Sequence, residues 1–144
     1  MLDRRQIHTV IDTLIREARI RSVSDIHITE GMPVWYRIHG CLTQARDVLK
    51  EYDIREVLLG MMNEKQRKQF EDGQDVDFAW QTTDGCRQRV NIFCEQKKIA
   101  ATIRLLNQHI PTLEELKIPT TLYQLSEEPR GIILVTGPTG SFEL

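Results

Sequence analysis

The sequence lacks the features that would anchor it in a membrane or cross-link it. Its longest apolar runs, such as the one from Gly131 to Val135, are far shorter than the roughly 20 residues of a membrane-spanning helix, and the start "MLDRRQIHTV" has no apolar signal segment. Only three cysteines are present, without a C-x-x-C pair. These absences predict a soluble protein of a reducing cytosol, without disulfides, metal site or direct membrane insertion.

An excess of charge of either sign is also missing. The chain has 19 Lys and Arg against 21 Asp and Glu, a formal net charge of −2. A chain with this balance has no general attraction for nucleic acid or for an anionic membrane surface. We therefore expect no nucleic-acid partner, and any anion site must be local. The 144 residues suffice for one full hydrophobic core, so we expect one domain with additional segments.

Hydrophobic periodicity predicts that this domain is α+β. Residues 3–21 carry apolar side chains at helical spacing, which predicts a helix with one core-facing side. Residues 25–44 alternate between apolar and polar around two turns, which predicts a small antiparallel meander. Capping signals predict helices at about residues 54–62 and 64–71. Alternating runs within residues 75–106 predict a three-stranded antiparallel unit.

The remainder of the chain has the pattern of a connector that leads into a second domain. Thr112 with Glu115 three residues later is a capping signal, and residues 120–127 have the pattern of a short helix. The all-apolar run at residues 131–135 is typical of a strand covered on both faces.

The last two predicted strands of the domain allow a register to be derived. With a four-residue loop over residues 95–98, apolar residues of both strands fall on one face, with Val90 opposite Ile103 and Ile92 opposite Ala101. Hydrophobicity and register therefore agree on the pairing of these strands.

On the polar face, the same register places Arg89 directly across from Arg104, with Arg87 one step along. Like charges opposed across two strands are destabilising, so a carboxylate or a bound anion should lie beside them. A three-residue "TDG" loop sets Asp77 diagonal to Arg89, which predicts an ion pair on a solvated face. A phosphate clamp is the alternative, since arginine binds phosphate oxygens bidentately. The residues alone do not decide between the two.

The chain's end resembles a phosphate-binding loop that stops early. A Walker A motif, G-x-x-x-x-G-K-[ST], counted from Gly137 requires Gly at 142, Lys at 143 and Ser or Thr at 144. The chain has Phe142, Glu143 and Leu144 there. The candidate nucleotide-binding residues of this partial loop are Gly137, Pro138, Thr139, Gly140 and Ser141.

Taken together, the motifs resemble those of PilT-like type IV pilus retraction ATPases, members of the secretion ATPase superfamily that also contains GspE-like type II secretion motors. The resemblance covers nearly the whole chain, and Val23 stands where the family pattern has Ala. The matching segments, in order, are "VSDIH", "MPVWYRIHG", "MNEKQRKQFED", "DVDFAW", "RQRVNIF", "IRLL", "TLEEL" and "PRGIILVTGPTGS".

The resemblance implies a division of the chain into three parts. Residues 1–107 would form a PAS-like N-terminal domain, an antiparallel sheet with flanking helices. Residues 108–130 would be an interdomain connector. Residues 131–144 would begin a RecA-like ATPase domain with its first strand, truncated within Walker A.

The resemblance also implies a function. Such proteins are cytoplasmic homohexamers, peripheral to the inner face of the plasma membrane, where they act with an inner-membrane pilus platform protein. They hydrolyse ATP with Mg²⁺ to power pilus retraction and twitching motility. By position, Arg89 and Arg104 resemble the N-terminal-domain arginines that approach the nucleotide phosphates, and Arg87 matches less well.

For the 144-residue chain itself we expect no ATPase activity and no tightly bound cofactor. The Walker A lysine and hydroxyl are missing, and the Walker B carboxylate would lie on residues that the chain lacks. Phe142, Glu143 and Leu144 are interpreted as an artificial tail or aberrant terminus. The alternatives are a pilus-extension or type II secretion ATPase of the same superfamily, and a stand-alone PAS-like interaction module.

Overall fold

The computed structural model describes residues 2–46, 48–106, 111–134 and 136. The chain divides into two units, Met1–Leu106 and Asn107–Leu144. Among its described residues, the first unit contains three helices and six strands in the order α1 (Arg4–Ile20), β1 (Val23–Thr29), β2 (Val34–Ile38), β3 (Cys41–Ala45), α2 (Ile54–Met61), α3 (Glu64–Glu71), β4 (Val76–Gln81), β5 (Arg87–Glu95) and β6 (Lys98–Leu105).

The six strands form one sheet in the order β3-β2-β1-β6-β5-β4, and each neighbouring pair is antiparallel. The first and last strands of the unit, β1 and β6, therefore lie side by side in the middle of the sheet. The α+β prediction, an antiparallel sheet with flanking helices, is confirmed.

Helix α1 begins at a capping box, in which the Asp3 carboxylate accepts from the Gln6 amide and the Gln6 side chain accepts from the Asp3 amide. Its apolar side packs into the core of the unit. A Cβ at Gly60 of α2 would lie 1.9 Å from Cδ1 of Ile7, so only glycine allows Ile7 to approach the α2 backbone this closely. The core residues of α1 are Ile7, Ile11, Leu14, Ile15 and Ala18.

A buried carboxylate ties α1 to the loop between β4 and β5. The Asp12 side chain is almost fully buried, and its Oδ2 accepts from the Thr83 amide at 2.8 Å. The "TDG" loop has Gly85 at φ +85, the left-handed conformation that glycine adopts without strain.

The predicted register of β5 and β6 is confirmed, with Val90 opposite Ile103 and Ile92 opposite Ala101. The connecting loop is shorter than predicted, because Glu95 and Lys98 themselves pair. Gln96 and Lys97 make the turn at φ +50 and +66, the two positive values of a type I′ turn, whose twist matches that of the strands.

The second unit contains one helix among its described residues, α4 (Thr121–Ser126). Before it, Thr112 and Glu115 exchange side-chain-to-backbone hydrogen bonds of 2.7 and 3.2 Å, as their capping spacing predicts.

The strand predicted to start at residue 131 is not formed across the described residues 131–134. Ile132 and Leu134 are 88% and 81% exposed. An apolar strand of this kind needs neighbouring strands to pair with, and the described part of this unit offers none. The predicted phosphate-loop residues, 137–141, and the predicted domain boundary at residue 107 lie outside the described residues. No helix in the described ranges has both the length and the apolar character required to cross a membrane.

Candidate functional site

The sheet has one apolar face and one polar face. Ile26, Val90 and Ile103 point into the core shared with α1 and α2, and because side chains alternate along a strand, their neighbours point to the opposite side. We call that side the open face. By the strand register, one row across it contains Arg37, Asp25, Arg104 and Arg89, and the next contains Trp35, His27, Thr102, Asn91 and Asp77.

Arg89 and Arg104 are directly opposed on the open face, as predicted. Arg89 binds Asp77 on β4, with its Nε 3.2 and 3.1 Å from Oδ1 and Oδ2 and its Nη2 2.7 Å from Oδ2. The hydrogen bond from Arg89 lowers the pKa of Asp77 from its usual value, and the same hydrogen bond raises the pKa of Arg89. The predicted ion pair between Asp77 and Arg89 is therefore present.

Arg104 binds a different carboxylate, that of Asp25 on β1. The Arg104 Nε donates to Asp25 Oδ1 at 2.9 Å, and the Ser24 hydroxyl donates to Asp25 Oδ2 at 2.9 Å. Burial raises the pKa of Asp25, but the hydrogen bonds from Arg104 and Ser24, with the Arg104 charge, outweigh it and leave the pKa below its usual value. Asp25 is therefore a buried anion at neutral pH.

A second arginine and a histidine complete the surroundings of Asp25. Arg37 Nε lies 3.8 Å from Asp25 Oδ2, while Arg37 Nη1 donates to the Gly40 carbonyl at 3.2 Å. The His27 Nδ1 is 3.5 Å from Thr102 Oγ1, and its buried Nε2 has no hydrogen-bond partner among the described residues. Burial, followed by the positive charge of Arg37, lowers the pKa of His27.

The two opposed arginines differ in how many of their nitrogens are used. Arg89 donates to Asp77 from both Nε and Nη2, whereas Arg104 donates to Asp25 only from Nε. Within the described residues, neither Nη1 nor Nη2 of Arg104 donates a hydrogen bond, although its side chain is 63% exposed. Arg104 thus presents the two terminal nitrogens that bind an oxyanion bidentately.

The third candidate, Arg87, lies at the start of β5 opposite Gln81. It is exposed and extends the line of arginines toward the end of the strand. It has no ion pair across the ranges that the structure describes.

Sequence reasoning missed Asp25 as the partner of Arg104. The alternation of "SDIHI" places Asp25 on the polar face, but the residues are 79 positions apart, and no local signal shows that β1 pairs with β6. Cys41, Cys86 and Cys94 are free thiols, and the described residues include no cluster of metal-ligand side chains.

Comparison with known proteins adds independent information. The family model described as "Type II/IV secretion system protein" matches residues 1–142. The "Type IV pilus retractation ATPase PilT" of Pseudomonas aeruginosa is 33% identical over 132 residues, which is 91% of this chain and 38% of that protein. The "Twitching motility protein" of Neisseria gonorrhoeae is 34% identical over 132 residues, 90% of this chain and 35% of that protein.

A solved structure gives the same match in three dimensions. The crystal structure of the pilus retraction motor PilT with bound ADP superimposes with a TM-score of 0.75 at 35% identity, covering 91% of this chain and 39% of that one. The Legionella pneumophila ATPase DotB, at 22% identity and a TM-score of 0.63, shares the fold. The chain spans less than two fifths of the length of the curated relatives named here.

Proposed function

The chain belongs to the type II/IV secretion system protein family, in which it matches the N-terminal domain of PilT-like secretion ATPases, and we propose that it serves as that domain in a motor that powers pilus retraction. The motor would be a hexamer that hydrolyses ATP with Mg²⁺ at the cytoplasmic face of the inner membrane and acts on a pilus platform protein. A retraction role is supported by identities of 33–34% to the retraction and twitching proteins, against 29% to the Thermus thermophilus pilus assembly ATPase PilB.

The observation that carries this proposal is the placement of Arg89 directly across from Arg104 on an exposed sheet face. Together they can contact a polyphosphate through several N–H groups, and their charge does not depend on pH in the physiological range. In the motor, these arginines would reach the phosphates of a nucleotide held by a phosphate-binding loop. In the absence of nucleotide, Asp77 and Asp25 neutralise them.

The anion-binding part of the proposal is tested on the 144-residue chain itself. The purified chain is titrated with inorganic tripolyphosphate at low ionic strength, where weak charge interactions are least screened, while the Nε–Hε signals of Arg89 and Arg104 are followed by NMR. We expect both signals to move with saturation, and Arg89→Gln and Arg104→Gln each to weaken binding. Arg5→Gln, which removes the same charge from the exposed side of α1, is the matched control and should bind as the unmodified chain does. Unmoved arginine signals, or equal affinity in the double Arg89→Gln/Arg104→Gln variant, would contradict the anion site.

The motor part is tested in a chimera. Residues 1–106 replace the equivalent segment of the Pseudomonas aeruginosa relative, and assembly is established by light scattering before ATP turnover is measured. In an assembled chimera, Arg104→Gln should lower kcat by about tenfold or more, because a donor to the reacting phosphates is lost. Arg5→Gln should leave kcat within about twofold, as expected for a remote surface change. Unchanged turnover in both the Arg89→Gln and Arg104→Gln chimeras would overturn the phosphate role.

A further inference from the structure

The carboxylates that bind the two opposed arginines are in contrasting surroundings. The Asp25 side chain is 8% exposed, and the Asp77 side chain is 44% exposed. Asp25 lies in the middle of the sheet, on β1, whereas Asp77 lies on the edge strand β4. One carboxylate is therefore fixed by its surroundings, and the other can exchange its partner with solvent.

Asp25 is held from three strands. Its Oδ1 accepts from Arg104 of β6, its Oδ2 accepts from Ser24 of β1, and Arg37 of β2 approaches Oδ2 at 3.8 Å. A flexible arginine loses considerable rotamer entropy when it binds a ligand unless it is already held in place. Asp25 accepts a hydrogen bond only from the Nε of Arg104 among the arginine's nitrogens. This contact fixes the guanidinium and leaves both terminal nitrogens available to an incoming anion.

Asp77, in contrast, blocks part of the Arg89 guanidinium. It accepts from Nε and Nη2, which together form one of the two edges through which a guanidinium binds a phosphate bidentately. An exposed ion pair of this kind is worth little in water, so an anion with several negative charges can displace it. Asp77 thus occupies an edge of Arg89 to which an anion could bind.

We propose that the two carboxylates act in opposite directions on the anion site: Asp25 is a positioning residue that holds Arg104 ready for the anion, and Asp77 competes with the anion for Arg89. This inference rests on the proposed function, since it concerns the same arginines. Arg104 is then the first contact, and Arg89 joins after it leaves Asp77.

A simple electrostatic explanation predicts a different change in anion affinity. If each carboxylate only repelled the anion, neutralising either one would tighten binding. If Asp25 had only a structural role, its neutralisation would change stability but not the affinity of the folded chain. Opposite changes in affinity are expected only if Asp25 positions Arg104 and Asp77 competes for Arg89.

The test compares Asp25→Asn and Asp77→Asn in the tripolyphosphate titration. We expect Asp77→Asn to tighten binding by about two- to fivefold, the range set by an exposed ion pair, and Asp25→Asn to weaken it by about fivefold. In Asp25→Asn the Arg104 Nε–Hε signal of the free chain should also lose its distinct position, because the guanidinium is no longer fixed. Asp72→Asn, a neutralised exposed carboxylate at the end of α3, is the matched control and should change affinity less than twofold, as a remote surface charge does.

Two results would overturn the proposal. One is tighter or unchanged binding in Asp25→Asn, and the other is weaker or unchanged binding in Asp77→Asn. If Asp25→Asn does not fold, Ser24→Ala replaces it, because this change removes one hydrogen bond to Asp25 and keeps the charge. Ser24→Ala should weaken binding by about twofold, and tighter or unchanged binding would reject the positioning role.

Failure of this proposal is distinguishable from failure of the proposed function. If Arg89→Gln and Arg104→Gln weaken binding but the two carboxylate variants change affinity in the same direction, the anion site stands and the opposed roles do not. If neither arginine variant affects binding, the anion site itself is rejected.

Discussion

Arg89 and Arg104 face each other on neighbouring strands, yet each is neutralised by a carboxylate on a strand outside the pair. Two like charges at this spacing would otherwise repel across the strands. The sheet thus carries four charged groups, Asp25, Arg104, Arg89 and Asp77, on the consecutive strands β1, β6, β5 and β4. Because the two carboxylates differ in burial, their removal should have different effects on stability.

Asp25→Ala should lower the free energy of unfolding by about 1–3 kcal/mol, because two hydrogen bonds to a buried carboxylate are lost, and the one from Arg104 is charge-assisted. Asp77→Ala should lower it by clearly less, since its ion pair is exposed and screened by water. Urea denaturation of both variants and of the unmodified chain measures the difference. An equal loss in the two variants would show that burial does not distinguish the pairs.

The contribution of Asp25 to stability should depend on pH in the acid range. Because its pKa in the folded chain lies below the ordinary value of 3.8, the contribution is fully present above that value and is lost as the pH falls through the folded pKa. The free-energy difference between the unmodified chain and Asp25→Asn should therefore shrink below about pH 4. Denaturation midpoints measured between pH 3 and 7 would check this, and a difference that grows on acidification would contradict it.

His27 should destabilise the chain in mild acid. Its pKa in the folded chain lies below the ordinary 6.5 because of burial and the Arg37 and Arg104 charges, which outweigh the opposite effect of Asp25. Above pH 6.5 the ring is neutral in both states and has no effect. Below that value the unfolded chain binds the proton first, so stability falls until the pH passes the folded pKa. His27→Gln should flatten this part of the stability profile, and an unchanged profile in the variant would reject the assignment.

Gly60→Ala should lower the free energy of unfolding by about 1–2 kcal/mol, because the added methyl group would overlap Ile7 in a packed core. The overlap is with Cδ1 of Ile7, at 1.9 Å, an atom that valine lacks. The double variant Ile7→Val/Gly60→Ala should therefore be less destabilised than the sum of the two single variants. Thermal unfolding of the three variants measures this coupling, and strictly additive losses would show that the two residues do not clash.

The part of the site that the sequence predicts correctly is the part determined by two consecutive hairpins. Two consecutive strands with apolar alternation on both allow few registers, and the correct one places Arg89 opposite Arg104. The "TDG" loop then brings Asp77 next to Arg89. Each step uses residues that are close in the chain, where turn chemistry and periodicity are informative.

The pairing of Asp25 with Arg104 could not be predicted in this way. It depends on contact between strands that are distant in the sequence, and a strand with one apolar face can pair with any partner of matching pattern. The strand expected from residue 131 stays a prediction for a related reason. Its apolar residues predict burial between layers, and Ile132 and Leu134 are exposed among the described residues, where no neighbouring strand is present to pair with them.

The central position of β1 and β6 has a consequence for folding. Strands β1 to β3 and strands β4 to β6 are each meanders of local contacts, and the sheet joins them through the pairing of β1 with β6. Local contacts form early, whereas pairing between distant segments requires closure of a long loop. The separate meander β4 to β6 already contains Arg89, Asp77 and Arg104, but Asp25 reaches Arg104 only when the halves dock. The complete charge arrangement therefore depends on the docking of the two meanders, since the meander of β4 to β6 alone contains both arginines but not the carboxylate that binds Arg104.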